Sequence, residues 1–366
     1  MTLASTLHLL VPGPITQRTG GYLYDARMVE GLRAMDWEVT VHSLEGSFPI
    51  PDEDGRESTA LALSEVPDSA RTVVDGLALP TLETLEGAAE TKRRLLGLVH
   101  HLTSDETGLN HLQSKCLRNL ETGILQRVSG VVVTSEFTAT EVARLGVPPQ
   151  RIECVVPGTE RSDLAMGPGA DEPPALLCVG ALIPRKGQDV LVRALARLTA
   201  LPWSCTLAGS PSRDPQFSGR LRAMAEEFGL SGRITFAGEC TEPQLRELYS
   251  RSSAFVFPSH FEGFGMAIAE ALAHGLPIVS TTGGAIPSTV SPQAGLLVPP
   301  GDEIALANAI STLLDRDSRE SDVARSLSGA EVRSRLSRAA RRRGMELPAW
   351  DQQVRAFAEA VVALAP

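Results

Sequence analysis

Aromatic residues are scarce in this 366-residue chain: three Tyr, three Trp and ten Phe make up 4% of it. A long polysaccharide groove lined with stacking platforms uses more of them. No apolar run approaches the roughly 18–20 residues that cross a bilayer, so no membrane-spanning helix is expected. No Lys or Arg precedes Arg18, and Leu7 to Val11 runs straight into Pro12-Gly13-Pro14. The basic and apolar parts of a secretory signal are therefore missing, and a cytoplasmic address is expected. The five cysteines, Cys116, Cys154, Cys178, Cys205 and Cys240, lie at least 24 positions apart. That spacing suggests neither a zinc knuckle nor a disulfide framework, and all five are expected to be small core residues. Basic side chains number 34 against 44 acidic ones, and a net charge of −10 argues against nucleic acid as a partner. No repeat of about 20–50 residues occurs, which removes solenoids.

What is present is an ordinary globular balance, 43% hydrophobic and 21% charged. Strand-like runs alternate with helix-like ones from Leu7 onwards, the rhythm of βαβ units around a parallel sheet. Asp36 stands where the first helix must stop, and Asp tolerates the left-handed turn needed there. A long helix is expected near 106–127. Residues 157–174 hold four prolines and three glycines without periodic apolar positions, so the domain boundary falls there. The alternation then restarts at Ala175. Residues 302–316 and 318–343 read as helices, the second with six arginines between Arg333 and Arg343 that read as a solvated face. Trp350, Val354, Phe357 and Val361 give a last helix an apolar stripe.

Ligands of parallel sheets sit beyond the carboxyl ends of the strands, where helix N-termini present free N–H groups. The first such loop ends in Gly20-Gly21 and leads into a helix expected from Tyr22. It lacks the G-x-G-x-x-G spacing of a dinucleotide fold, which removes the best argument for a nicotinamide enzyme. Another loop, Gly180 to Gly187, carries Arg185 and Lys186, a forked and a point cation suited together to a diphosphate. The segment Glu262-Gly263-Phe264-Gly265-Met266 leads into a helix with Glu270 about one turn inside. Two carboxylates thus bracket an anion site, where they can accept hydrogen bonds from sugar and ribose hydroxyls. Asp52-Glu53-Asp54 and Asp315-Arg316-Asp317 spell D-x-D, the pattern of metal-dependent sugar transferases, but read as solvated, the first in a polar loop.

With Glu262 and Glu270 separated by seven residues, Arg185-Lys186-Gly187 upstream, and Gly283-Gly284 and Gly295 to Asp302 downstream, the chain resembles the family-4 retaining glycosyltransferases over most of 175–315. The N-terminal match is looser, through Gly20-Gly21, a histidine closing the strand at 100, and Val132 to Ser135. The resemblance implies an α/β chain of GT-B architecture, two tandem Rossmann-like domains facing across a cleft. It implies an acceptor domain over 1–160, a nucleotide-sugar domain over 174–345, and a C-terminal helix over 346–366 crossing back to the first domain. By position, Glu270 would bind the ribose. Glu262 with Gly263, Phe264 and Gly265 would bind the donor sugar, and Arg185, Lys186 and the Met266 N–H the diphosphate. Gly20 and Gly21 would close on the diphosphate, and His100 or its neighbour His101 would face the transferred sugar. His100, Arg185, Lys186 and Glu262 are thus the catalytic candidates. This chain departs from the family at Ala181, where an arginine is usual, and at Ser288, where a glutamate is usual.

Arg18, Tyr22, Tyr24 and Asp25 around the first loop, with Asp75, His101 and Glu106 at neighbouring strand ends or helix starts, suggest an acceptor pocket that is polar with aromatic walls. The expected reaction is metal-independent transfer of a hexose, with retention, from a nucleotide diphosphate sugar, by preference a UDP-sugar, to a small polar or heterocyclic acceptor. No other cofactor is expected. The alternatives are a glycolipid or cell-envelope glycosyltransferase at the membrane surface, through Lys92-Arg93-Arg94 and the arginine run, or a phosphorylase or epimerase on the same architecture.

Overall fold

The computed structural model describes residues 5–68, 70–84, 94–106, 108–169, 171–314 and 328–365. Its chain divides into two compact units, Met1–Gly158 with Pro348–Pro366, and Thr159–Leu347. Lys92, Arg93, the Asp315 to Asp317 triplet and the expected helical residues 318–327 lie outside the described residues.

The first unit runs β1 (Thr6–Pro12), α1 (Gly20–Ala34), β2 (Glu38–Leu44), α2 (Glu53–Glu65), β3 (Arg71–Asp75), β4 (Leu95–Val99), α3 (His111–Arg127), β5 (Gly130–Val133), α4 (Glu136–Arg144) and β6 (Ile152–Cys154). Its parallel sheet has the order β2-β1-β3-β4-β5-β6. Side chains alternate across a strand, so β1 sends Leu7, Leu9 and Val11 to one face and Leu10 to the other. The first face is covered by Met28 and Leu32 of α1 and by Val354, Phe357 and Val361 of the C-terminal helix. A Cβ on Gly31 of α1 would collide with Val354, so only glycine lets these two helices pack so closely. Truncating the fully buried Phe357 to Ala would remove about 3–5 kcal/mol.

The second unit runs β7 (Ala175–Val179), α5 (Gln188–Ala196), β8 (Ser204–Ala208), α6 (Pro215–Glu227), β9 (Ile234–Gly238), α7 (Glu242–Ser250), β10 (Ala254–Phe257), α8 (Met266–Ala273), β11 (Ile278–Thr281), α9 (Ile286–Thr289), β12 (Gly295–Val298), α10 (Glu303–Leu314) and α11 (Gly329–Glu346). The last helix of the chain, α12 (Trp350–Leu364), belongs to the first unit. The second sheet has the order β12-β11-β10-β7-β8-β9, and its central strand β10 is buried throughout, as a strand covered on both faces must be.

Several expectations change. Asp52 to Asp54 are not in a polar loop: Asp52 caps α2, its carboxylate accepting from Gly55 N at 2.9 Å and Ser47 N at 3.0 Å. The long third helix starts at His111 rather than 106, because Asn110 and Gln113 close a capping box there. α1 starts at Gly20, so both glycines lie in its first turn. Only Cys178 and Cys205 are buried; Cys154 and Cys240 are half-buried and Cys116 is exposed. Three of the six arginines on α11 are not solvated but bind backbone carbonyls: Arg333 that of Leu313, Arg341 those of Ser162 and Ala273, and Arg343 those of Ser288 and Thr289. Asp36 does take the left-handed conformation, φ 61°.

Candidate functional site

In the second unit, Arg185 and Lys186 occupy a short 3-10 turn, Pro184–Lys186, between β7 and α5. Gly187 ends that turn at φ 67°, and a Cβ there would strike the Pro258 carbonyl, so the loops after β7 and β10 touch at backbone level. The contact is tied by His260 N donating to Arg185 O at 2.8 Å. Glu262 is thereby carried in between the cations. Its Oε1 lies 2.7 Å from Lys186 Nζ and 3.4 Å from Arg185 Nη1, and accepts the Ser259 hydroxyl at 2.6 Å. Arg185 also donates to Phe261 O at 3.0 Å, and Lys186 Nζ stands 5.0 Å from the centre of the Phe257 ring.

Burial alone would raise the Glu262 carboxyl, but the charges of Lys186 and Arg185 and the two hydrogen bonds outweigh it and hold it below the usual range. The cluster is ionised at neutral pH: two cations over one carboxylate, a net positive charge. Gly283 seals the loop from behind, since a Cβ there would meet the His260 carbonyl, and Ala285 N donates to Glu262 O at 2.8 Å. Gly265, at φ 92°, turns the chain into α8 at Met266, whose first N–H groups have no acceptor within the helix.

Glu270 lies one turn into α8. Its Oε2 accepts the Tyr249 hydroxyl at 2.9 Å, and the Tyr249 ring is buried flat against His274, 5.0 Å between centres and 13° between planes. His274 in turn donates from Nδ1 to Asp163 O at 3.0 Å. Ala181 offers its carbonyl to Gln188 Nε2 at 2.9 Å. Ser288 is exposed and gives its carbonyl to Arg343. A cavity of about 400 Å³ lined by Met166, Ser253, Pro277 and Arg333 lies at the opposite, N-terminal end of this sheet and holds none of these residues.

In the first unit the ends of β3 and β4 bring Asp75 and His100 together, and α1 adds Asp25. His100 Nε2 lies 3.1 Å from Asp25 Oδ1 and 3.4 Å from Asp75 Oδ2, both carboxylates being almost fully buried. Gly21, one turn before Asp25, makes room for the ring: a Cβ there would sit 3.1 Å from His100 Cδ2. Gly20 is exposed. Burial would lower the His100 pKa, but the two carboxylates together outweigh it and push it up to about 10. Asp25 is pushed up to about 6, first by burial, against the pull of His100. Asp25 lies on the stripe of Gly21, Met28 and Leu32, a charge at helical spacing among residues that face the core.

His101 is separated from its neighbour and pairs with Glu106 at 3.2 Å. Tyr22 turns inward and spends its hydroxyl on Pro12 O, so the aromatic wall expected from it is buried. Among the described residues, Asp25, Asp75 and His100 are the one group of three His, Cys, Asp or Glu side chains whose ligand atoms lie within 4.8 Å of one another, a spacing that a cation could bridge. The residues as they stand close on themselves as an ion pair. No described helix is long and apolar enough to cross a membrane.

Residues 173–316 match the family described as "Glycosyl transferases group 1". The chain is 33% identical to the D-inositol 3-phosphate glycosyltransferase of Acidothermus cellulolyticus over 206 residues, which is 50% of this chain and 45% of that one. It is 26% identical over 314 residues, 79% of this chain and 77% of the other, to the GDP-mannose-dependent alpha-(1-6)-phosphatidylinositol monomannoside mannosyltransferase of Mycobacterium tuberculosis. The alignment to the first of these curated relatives thus spans about half that protein's length. Among solved structures, sucrose-phosphate synthase from Thermosynechococcus elongatus superposes with a TM-score of 0.77 at 24% identity, covering 97% of this chain and 98% of that one. Anabaena HepE in complex with UDP and glucose gives 0.74 at 17% identity, covering 97% and 99%.

Proposed function

For a chain of GT-B fold whose residues 173–316 form a glycosyl transferases group 1 domain, we propose retaining transfer of a hexose from a nucleotide diphosphate sugar to a hydroxyl of a small polar or heterocyclic acceptor. The observation that carries it is the net-positive cluster of Arg185 and Lys186 around Glu262, ahead of the N-terminus of α8 and of Glu270. Fixed cations and helix N–H groups aimed at one place stabilise the charge that develops on a departing diphosphate. Glu262, ionised and held at one oxygen, keeps lone pairs for sugar hydroxyls. Glu270, held by Tyr249, accepts from the ribose.

We assign the donor to the second unit and the acceptor to the first, where His100, Asp75, His101 and Glu106 supply polar groups. In the step itself the bond between the anomeric carbon and the diphosphate oxygen breaks. The acceptor oxygen bonds to that carbon on the same face, and its proton passes to the departing phosphate oxygen. No protein nucleophile and no metal enters this scheme, and the reaction takes place in the cytoplasm. UDP-sugar is the preferred donor; a GDP-hexose is the second reading, favoured by the mannosyltransferase relative that matches 79% of the chain.

The test is turnover of UDP- and GDP-hexoses against polyol and heterocyclic acceptors in the presence of EDTA, with the anomeric configuration of the product read by proton NMR. An α-donor giving an α-product without metal is expected. An inverted product, or activity that EDTA abolishes, would overturn the scheme.

A further inference from the structure

We propose that Asp25 is a positioning residue. With Asp75 it grips Nε2–H of His100, and thereby fixes which edge of the imidazole, the Nδ1 edge, is presented to a ligand at the carboxyl ends of β3 and β4. Three elements converge to make this grip. Asp25 comes from the buried stripe of α1, Asp75 from the last position of β3, and His100 from the first position after β4. The backbone around them is also held: Asp75 Oδ1 accepts from Leu77 N at 2.8 Å, and His100 O accepts the Thr134 hydroxyl at 3.2 Å. Tyr24 closes one side, its ring edge-on to the imidazole at 5.4 Å, and its own hydroxyl is spent on Val155 O. Asp25, Asp75 and the Tyr24 phenol are the titratable groups that face this ring among the described residues. His101, next in sequence, is engaged with Glu106 instead.

Nδ1 meets no partner among the described residues, and it is not one of their buried polar atoms left without one. The edge turned away from the carboxylates is therefore open to a ligand. Two buried carboxylates favour the doubly protonated ring, so this edge carries an N–H, a donor, rather than a lone pair. The ligand atom it fits is an oxygen that accepts: a sugar hydroxyl, a ring oxygen or a phosphate oxygen. It does not fit the proton of an attacking hydroxyl, so His100 acts as a donor and not as a general base. With Asp25 and Asp75 ionised the cluster is net negative, which favours a neutral oxygen over a phosphate.

The role toward a ligand rests on the transferase reading, whereas the state of the ring does not, so the two are tested separately. Ring-nitrogen NMR of the uniformly 15N-labelled full chain, with His100→Asn for assignment, follows His100 between pH 5 and 10.5. The expected result is two protonated ring nitrogens through neutral pH, with titration near 10. In Asp25→Asn the titration should fall by about 1–3 pH units. The alkaline limb of kcat should fall with it while the donor KM stays put, and Asp25→Glu should restore part of both.

A wild-type ring titrating near 6.5 would overturn the proposal without needing any variant to fold. So would a pH profile unmoved in a folded Asp25→Asn, or Mn²⁺ or Zn²⁺ displacing the ring protons while raising turnover. Intact ring behaviour with no nucleotide-sugar turnover would instead remove the function, and with it the ligand role assigned to Nδ1.

Discussion

The two units build their charged clusters as inverses of each other. In the second, two cations close on one carboxylate; in the first, two carboxylates close on one imidazole. Each is buried enough that its charges cannot be left unpaired, and each sits just past the carboxyl ends of parallel strands. The sign of the surplus separates them. A surplus positive charge suits a diphosphate leaving group, and a surplus negative charge around a fixed N–H suits neutral hydroxyl chemistry. On the proposed reading, two similar α/β frames are specialised by three side chains each.

Breaking the positive cluster should have the largest effect. Lys186→Met leaves Glu262 buried with the Ser259 hydroxyl and a single cation, the longer contact to Arg185. The expected cost is about 3–5 kcal/mol in urea unfolding, and turnover should drop by about 10²–10³-fold. Glu270→Ala should leave the fold intact and weaken donor binding by about 1.5–3 kcal/mol, the worth of hydrogen bonds to a charged group, seen in KM or by calorimetry.

The pH dependence of stability should then divide the units. Glu262 is held low, so its contribution is present above the ordinary carboxylate value and is lost as pH falls through its own. His100 is held high, so its contribution is complete below about 6.5 and is lost as pH rises through about 10. Asp25, pushed up to about 6, takes its proton more readily folded than unfolded, so mild acid does not weaken the first cluster. Each group changes stability by at most about 1.4 kcal/mol per pH unit. Unfolding followed by probes in each unit should show the second weakening in acid and the first in alkali. Smallest is Tyr249→Phe, which removes one hydrogen bond to Glu270 and keeps the stack on His274: about 1 kcal/mol in donor affinity, with kcat unchanged.

The strands were legible because a buried parallel strand is a short apolar run followed by a turn, and the alternation read from Leu7 and again from Ala175 is present as β1 to β6 and β7 to β12. Arg185, Lys186, Glu262 and Glu270 were legible because each lies in a loop or helix start after such a run. Tyr249 was not, since Glu270 lies 21 residues away, and although Asp25 reads as part of the acceptor pocket, its pairing with His100, 75 residues on, is made only by the fold. α2 escaped because its buried face is Gly55, Thr59, Ala62 and Leu63, mostly too small or polar to form an apolar stripe. The arginines of α11 were misread for a related reason: a guanidinium that caps a distant carbonyl has the same sequence signature as one in water. Tyr22 shows the reverse error, a side chain near a site whose hydroxyl is already committed to the backbone.

The proposed donor site places a nucleoside diphosphate sugar between Arg185, Lys186, Glu262 and Glu270 of the second unit. Calorimetric titration of wild type and Glu270→Ala with UDP- and GDP-hexoses, each with EDTA, tests it most directly. Binding of one nucleotide sugar by wild type, unaffected by EDTA and at least tenfold weaker in the variant, is the expected result, about 1.4 kcal/mol or more. Absence of binding by any of them, or equal affinity in Glu270→Ala, would contradict it.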